Sequence, residues 1–241
     1  MPASVVVFFS TANARFDGQF DVPTLEEIIA LVQAYEQALG RGIGIYPETK
    51  HPTYFRTLGL PLEQTLVDLL HANGYRSGRD RAYIQSFEIG NLQNLRGRTR
   101  LRLVQLLAPD GKPYDVERAG EALTYEKMAS AEGLRDIAAY ADAVGPDKNM
   151  VIPLDTRGNL DPDRATDFVK HAHAAGLAVH PYTFRAENHF LPGNFRSSAE
   201  PQALGNAEEE IKAFLAVGVD GFFTDHPDTG VRAARAFTKN P

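Results

Sequence analysis

The densest run of chemically useful groups in the sequence is Tyr46-Pro47-Glu48-Thr49-Lys50-His51. Glu48 and Lys50 stand two apart at the end of an apolar run. In an extended chain, residues two apart project to the same side. A carboxylate so placed can ligate a hard divalent cation such as Ca²⁺ or Mg²⁺, and an ammonium beside it can hold a phosphate oxygen. The plainer use of such a pair is a solvated ion pair at a strand end. Gln85 and Phe87 end another run in the same way, as an amide and an apolar wall for a ligand or as interior filling. Tyr182 and Phe184 end a third run and lead into Arg185. A guanidinium there can clamp phosphate or carboxylate, or pair with a neighbouring acid. Asp225 and Asp228 flank His226-Pro227, where capping of a terminal helix is their readier use.

Other chemistries are excluded by what is missing. The sequence has no cysteine, which removes disulfides, thiolate catalysis and Cys-ligated zinc. Of the seven histidines, His71, His171 and His173 fall on helical stretches, no HxH lies on a strand and no HExxH occurs, so a zinc site has little support. Ser86 lacks the GxSxG setting of a serine-hydrolase elbow. The charge of -6, from 25 basic and 31 acidic residues, comes with no basic tract, which argues against nucleic acid as a partner. No apolar run approaches the roughly 18 residues of a membrane span. The N-terminus has no basic n-region and only a short apolar stretch, so no signal peptide is read there and the compartment stays open.

The elements that must position these residues alternate. Strands are expected at residues 42–46, 81–89, 100–108, 150–155, 177–184 and 220–224. Helices are expected at 61–71, 135–144, 161–176 and 207–217, with another at the C-terminal end. Six β/α units in series call for a parallel sheet, because each crossover needs a covering helix. The expectation is an α/β fold, a TIM (β/α)8-type barrel with six of its eight units. The competing doubly wound sheet lacks its Gly-rich fingerprint. Loops after strands face the active site of a barrel. The longer ones run over residues 109–119 and 185–205, and the second is expected to act as a lid.

Taken in order, several segments resemble the glycerophosphodiester phosphodiesterases, in particular the longer periplasmic type. They are Phe16-Asp17-Gly18-Gln19-Phe20, Val22-Pro23-Thr24-Leu25-Glu26-Glu27, Gly44-Ile45-Tyr46-Pro47-Glu48-Thr49-Lys50, Ile84-Gln85-Ser86-Phe87, His180-Pro181-Tyr182-Thr183-Phe184-Arg185 and Asp220-Gly221-Phe222-Phe223-Thr224-Asp225-His226-Pro227-Asp228. The resemblance implies a TIM barrel over residues 16–241, with 1–15 as a non-matching segment. It implies metal-dependent cleavage of a small-molecule glycerophosphodiester to glycerol 3-phosphate and an alcohol. It casts Glu48 as a ligand of the divalent metal, Ca²⁺ ahead of Mg²⁺, and Lys50 as the group that steadies the phosphate. Gln85, Phe87, Tyr182 and Phe184 would line the substrate pocket.

The sequence also departs from the family pattern. The His-Arg-Gly strand, the Glu-x-Asp metal pair and the His-Asp pair of the family have no counterpart. Two expectations follow: that the first two strands of the barrel are lacking, with diesterase activity of this chain impaired, and that exposed sheet edges at residues 43–46 and 222–224 draw the chain into oligomers.

Overall fold

The computed structural model describes residues 16–239. The short apolar stretch at the N-terminus lies outside them. The chain divides into two compact units, Met1–Arg41 and Gly42–Pro241. In the first, α1 (Leu25–Leu39) starts where Thr24 accepts from the Glu27 amide while the Glu27 side chain reaches back to the Thr24 amide. It stops at Gly40, whose φ of 61° favours a residue without a Cβ. This helix was not expected, although its Thr-x-x-Glu capping box is legible.

The second unit is built on a parallel sheet in chain order. Its strands are β1 (Tyr83–Ser86), β2 (Arg102–Leu107), β3 (Ala143–Pro146) and β4 (Ala178–Val179). One further segment extends it on each side. Residues 42–50 join β1 through Ile45 N to Arg81 O (2.9 Å), Gln85 N to Pro47 O (3.0 Å) and Thr49 N to Gln85 O (3.0 Å). Pro47 has no N–H to give, which interrupts this ladder. Residues 220–225 join the continuation of β4 through Phe223 N to Pro181 O (3.0 Å) and Phe184 N to Phe223 O (2.8 Å). Six parallel segments thus stand side by side, as the β/α reading expects, and backbone hydrogen bonds do not close them into a ring among the described residues. On the outer face α4 (Ile89–Arg96) covers β1 and β2, and α9 (Phe168–Ala174) covers β4. Leu92, Leu95, Phe168 and Val169 are buried there. The other helices of this unit are α2 (Pro52–Thr57), α3 (Glu63–Ala72), α5 (Tyr114–Arg118), α6 (Tyr125–Met128), α7 (Ala131–Ile137), α8 (Lys148–Val151), α10 (Ala207–Val217) and α11 (Pro227–Lys239). No helix among the described residues is long and apolar enough to cross a membrane.

A further departure from the sequence expectation lies at residues 135–155. The strand expected at 150–155 is not there. Met150 and Val151 belong to the short helix α8, opened by Asp147 accepting from the Asn149 amide at 2.8 Å. The strand is Ala143–Pro146, at the tail of the expected helix, because α7 ends at Ile137. Gly145-Pro146 reads as a helix stop but is the end of a buried strand. A Cβ on Gly145 would stand 2.7 Å from Leu106 Cδ2 and 3.3 Å from the His180 carbonyl oxygen, so the inner face is crowded there.

The inner floor of this incomplete barrel is polar and aromatic. Tyr46 stacks on Tyr83 at 4.9 Å and meets Phe223 edge-on at 4.8 Å. Its hydroxyl lies 2.9 Å from His180 Nδ1. Arg102 lies over the Tyr83 ring at 4.1 Å and donates to its hydroxyl at 2.7 Å. Tyr46 and Phe223 come from the two outermost segments, so side chains join what the backbone leaves open.

Burial holds the His180 imidazole below its ordinary value of 6.5, outweighing the pull of Asp220 toward the charged form. The unfolded chain therefore binds the proton more readily than the folded one. The stability tied to neutral His180 is complete above pH 6.5 and is lost as pH falls below it toward the depressed folded value. Thermal melts of wild type and His180→Gln at pH 8 and pH 5 should show a larger acid-induced drop for wild type. Equal drops would mean that His180 is not held neutral.

Candidate functional site

The C-terminal ends of the parallel segments open on a cleft of about 440 Å³. Glu48 and Lys50 come from the first segment, Gln85 and Phe87 from the end of β1, Tyr182 and Thr183 from beyond β4, and Phe223 from the last segment. Because side chains alternate along a strand, the inward positions before and at the cleft form short series: Tyr46 then Glu48, Tyr83 then Gln85 then Phe87, and His180 then Tyr182. Each series sets a floor residue beneath a wall residue.

Lys50 Nζ lies 3.1 Å from Glu48 Oε1, with the ammonium side chain 73% exposed and the carboxylate side chain 20%. The pair keeps the lysine at the cleft while leaving most of it open to an incoming anion. Gln85 is 9% exposed, and its Oε1 has no hydrogen-bond partner. The residue as a whole lines the cleft, with its side-chain amide the polar group of that wall. Phe87 and Tyr182 stand edge to face at 6.0 Å as an apolar wall. Tyr182 is fixed by donating its hydroxyl to Leu107 O at 3.0 Å, and its burial raises the phenol's pKa, with Asp147 adding to the effect.

Two expected site residues lie elsewhere. Phe184 is fully buried in the core, packed on Phe214 at 4.9 Å and Phe222 at 5.8 Å. Tyr182 and Thr183 both line the cleft, so the simple alternation fails there and Phe184 falls on the outer side. Arg185 is already engaged by Glu187 at 2.9 Å, Asp225 at 3.2 Å and the face of Phe190 at 4.0 Å. Burial alone would raise the Glu187 carboxyl, but hydrogen bonds from Arg185 and His226 bring it down to about 2. The alternative of an ion pair for Arg185 is what the structure shows. Thr183, Phe223, Thr224 and Asp225 line the cleft without having been singled out as its walls. The period-2 series 221, 223, 225 was the signal available for two of them.

Nor is the 185–205 loop built as a free lid. Asn188, 2% exposed, donates to Ser198 O at 3.1 Å and Glu200 O at 2.9 Å, and accepts from the Ser197 amide at 3.0 Å. Lys148 donates to Phe190 O at 3.3 Å and pairs at 2.6 Å with Glu210, a fully buried residue of α10. Desolvation raises the Glu210 carboxyl, and the Lys148 ammonium opposes that.

The geometry does not complete a metal centre. Glu48 and Asp225 are the carboxylates of the cleft, and each is paired with a cation. Among the described residues, no three of His, Cys, Asp and Glu stand together in a way that could hold an ion.

Comparison with known proteins agrees with the barrel. Residues 5–229 match the model of the glycerophosphoryl diester phosphodiesterase family. The chain belongs to this family. It is 29% identical over 230 residues to a glycerophosphodiester phosphodiesterase of Haemophilus influenzae, covering 88% of this chain and 58% of the relative. It is 28% identical over 223 residues to one from Treponema pallidum, covering 88% and 60%. The chain therefore spans less than two thirds of the length of these curated relatives. A solved structure from Silicibacter pomeroyi, assigned as a glycerophosphoryl diester phosphodiesterase, superposes with a TM-score of 0.57 at 19% identity, over 90% of this chain and 57% of that one. A glycerophosphodiester phosphodiesterase from Parabacteroides distasonis gives 0.51 at 13% identity, over 90% and 64%. At such identities these structures speak for the TIM-barrel fold alone.

The Lys148–Glu210 pair makes a prediction. Lys148→Met leaves a buried carboxylate without its cation and should cost about 3–5 kcal/mol of stability. Urea unfolding measures the loss, and hydrogen exchange should quicken within residues 185–205. A variant as stable as wild type would show that the pair does not anchor the loop.

Proposed function

We propose that the cleft binds the phosphate and glycerol parts of a glycerophosphodiester, and that the chain serves the hydrolysis of such diesters to glycerol 3-phosphate and an alcohol. The observation that carries this reading is the convergence of Lys50, the Gln85 side chain and the Phe87–Tyr182 wall at one barrel mouth. Lys50 offers its ammonium to a phosphate oxygen, and Glu48 holds that ammonium over the cleft. The Gln85 side-chain amide offers a hydrogen bond to a glycerol hydroxyl. Phe87 and Tyr182 cover the carbon chain and keep water from that side.

The family depends on a divalent metal. Glu48 offers one carboxylate to such an ion, and the described residues supply no further set around it. The role proposed here is therefore recognition by this chain's own side chains, with no catalytic step assigned to a cation. That same observation favours a second reading, in which this chain as given binds the diester without turning it over.

Titration calorimetry of the full chain with glycerol 3-phosphate, with and without Ca²⁺ or Mg²⁺, tests the proposal. Binding is expected, and Lys50→Ala should weaken it about tenfold, as the loss of one charge-assisted contact does. No binding, or equal binding by the variant, would overturn the assignment of the cleft. Glycerophosphodiester cleavage by the same preparation would decide against the second reading.

A further inference from the structure

At the ends of β1 and β2 away from the cleft, a group of arginines stands exposed: Arg76, Arg79, Arg81, Arg98 and Arg100. Parallel register brings them together. Ser77 bridges to Arg100 and Tyr83 pairs with Arg102, so the turn before β1 lies beside the turn before β2. These arginines precede their strands, whereas the cleft lies beyond the strands' C-terminal ends. The two features therefore occupy opposite ends of the sheet.

The charge of this group is not cancelled. The side chains of Arg79, Arg81 and Arg100 have no hydrogen bond or ion pair among the described residues. Arg76 donates to His71 O at 3.0 Å, and Arg98 donates to the side chains of Asn94, at 2.6 Å, and Gln64. All of these acceptors are neutral. Asp80 is the acid within the first turn, and one of its oxygens accepts from the Arg76 amide (2.8 Å), the Ser77 amide (2.7 Å) and the Ser77 hydroxyl (3.1 Å). It is held by its own turn. Asp142, just before β3, is taken by Arg96 and by the Leu103 amide. The protein as a whole carries -6, so this basic end stands against an acidic remainder.

We propose that this end of the sheet docks on an anionic lipid membrane, at the level of the headgroups and without insertion. A guanidinium presents a planar fork that matches phosphate oxygens, and each basic side chain near an anionic bilayer multiplies binding by roughly five. No large apolar side chain among residues 75–102 is exposed. A protein partner would therefore find no apolar centre for its interface, and the bilayer meets no wedge. Nucleic acid is served less well. Tyr75 is buried and Arg102 lies over the Tyr83 ring, so no ring is open for a base to stack on. The arginines sit on turns, which offer no helix or ribbon to a groove. The acidic remainder is repelled by the same surface, which orients the protein with its cleft toward the water.

Flotation of the full chain with vesicles tests the surface. Vesicles of equal parts phosphatidylglycerol and phosphatidylcholine should bind it, and vesicles of phosphatidylcholine alone should not. Salt at about 0.5 M should release it, because exposed charges are screened. Arg79→Gln combined with Arg100→Gln should weaken binding about twentyfold, and either change alone about fivefold. Neither side chain holds any other part of the fold, so thermal melts should match wild type. Arg157→Gln removes an arginine that is 82% exposed outside these turns, and it should leave binding unchanged. Four results would overturn the proposal: no binding to the anionic vesicles, equal binding to both kinds, a double variant that binds like wild type, or a loss as large with Arg157→Gln. Tighter binding to a DNA duplex at matched phosphate concentration would assign the surface to nucleic acid and overturn the lipid partner.

Discussion

The contact of Tyr46 with Phe223, backed by the Tyr46 hydroxyl on His180, governs the rest of the second unit. Six parallel segments bonded edge to edge make an open sheet, and their backbone hydrogen bonds do not close it. The first segment carries Glu48 and Lys50, and the last carries Phe223 and Asp225. For these to face one cleft, the two outer segments must be drawn together across the interior. Aromatic side chains do this at 4.8 Å, with a hydrogen bond of 2.9 Å to a third segment. Edge-to-face ring pairs add about 0.5–1.5 kcal/mol beyond the area they bury, a modest amount set against stabilities of about 5–15 kcal/mol.

The floor and the cleft are one construction because strand periodicity couples them. Tyr46, Tyr83 and His180 are each two residues before a wall residue: Glu48, Gln85 and Tyr182. Moving a floor residue therefore moves the group above it. Within the floor Tyr46 bonds His180 and Arg102 bonds Tyr83, while Arg102 Nε is buried without a hydrogen-bond partner.

Much of this was legible in the residues. The parallel α/β architecture followed from alternation, and the order of motifs pointed to the family. The convergence of Glu48, Lys50, Gln85, Phe87 and Tyr182 followed from their positions at strand ends. The helix–strand exchange at 135–155 was not legible, because Gly145-Pro146 serves a crowded inner face and mimics a helix stop. Phe184 misled because period-2 reasoning assumes an unbroken strand, and the described strand there is only Ala178–Val179. Arg185 has the right chemistry for a clamp, but Glu187 and Asp225 claim it, and only coordinates reveal that.

A double-mutant cycle on Tyr46→Ala and Phe223→Ala, followed by urea unfolding, tests the bridging contact directly. A coupling energy of about 0.5–1.5 kcal/mol between the two positions is the result expected of a ring pair that joins the outer segments. Additive losses, with no coupling, would mean that the open sheet is held in its curve by something other than Tyr46 and Phe223, and that the cleft above them lacks the support described.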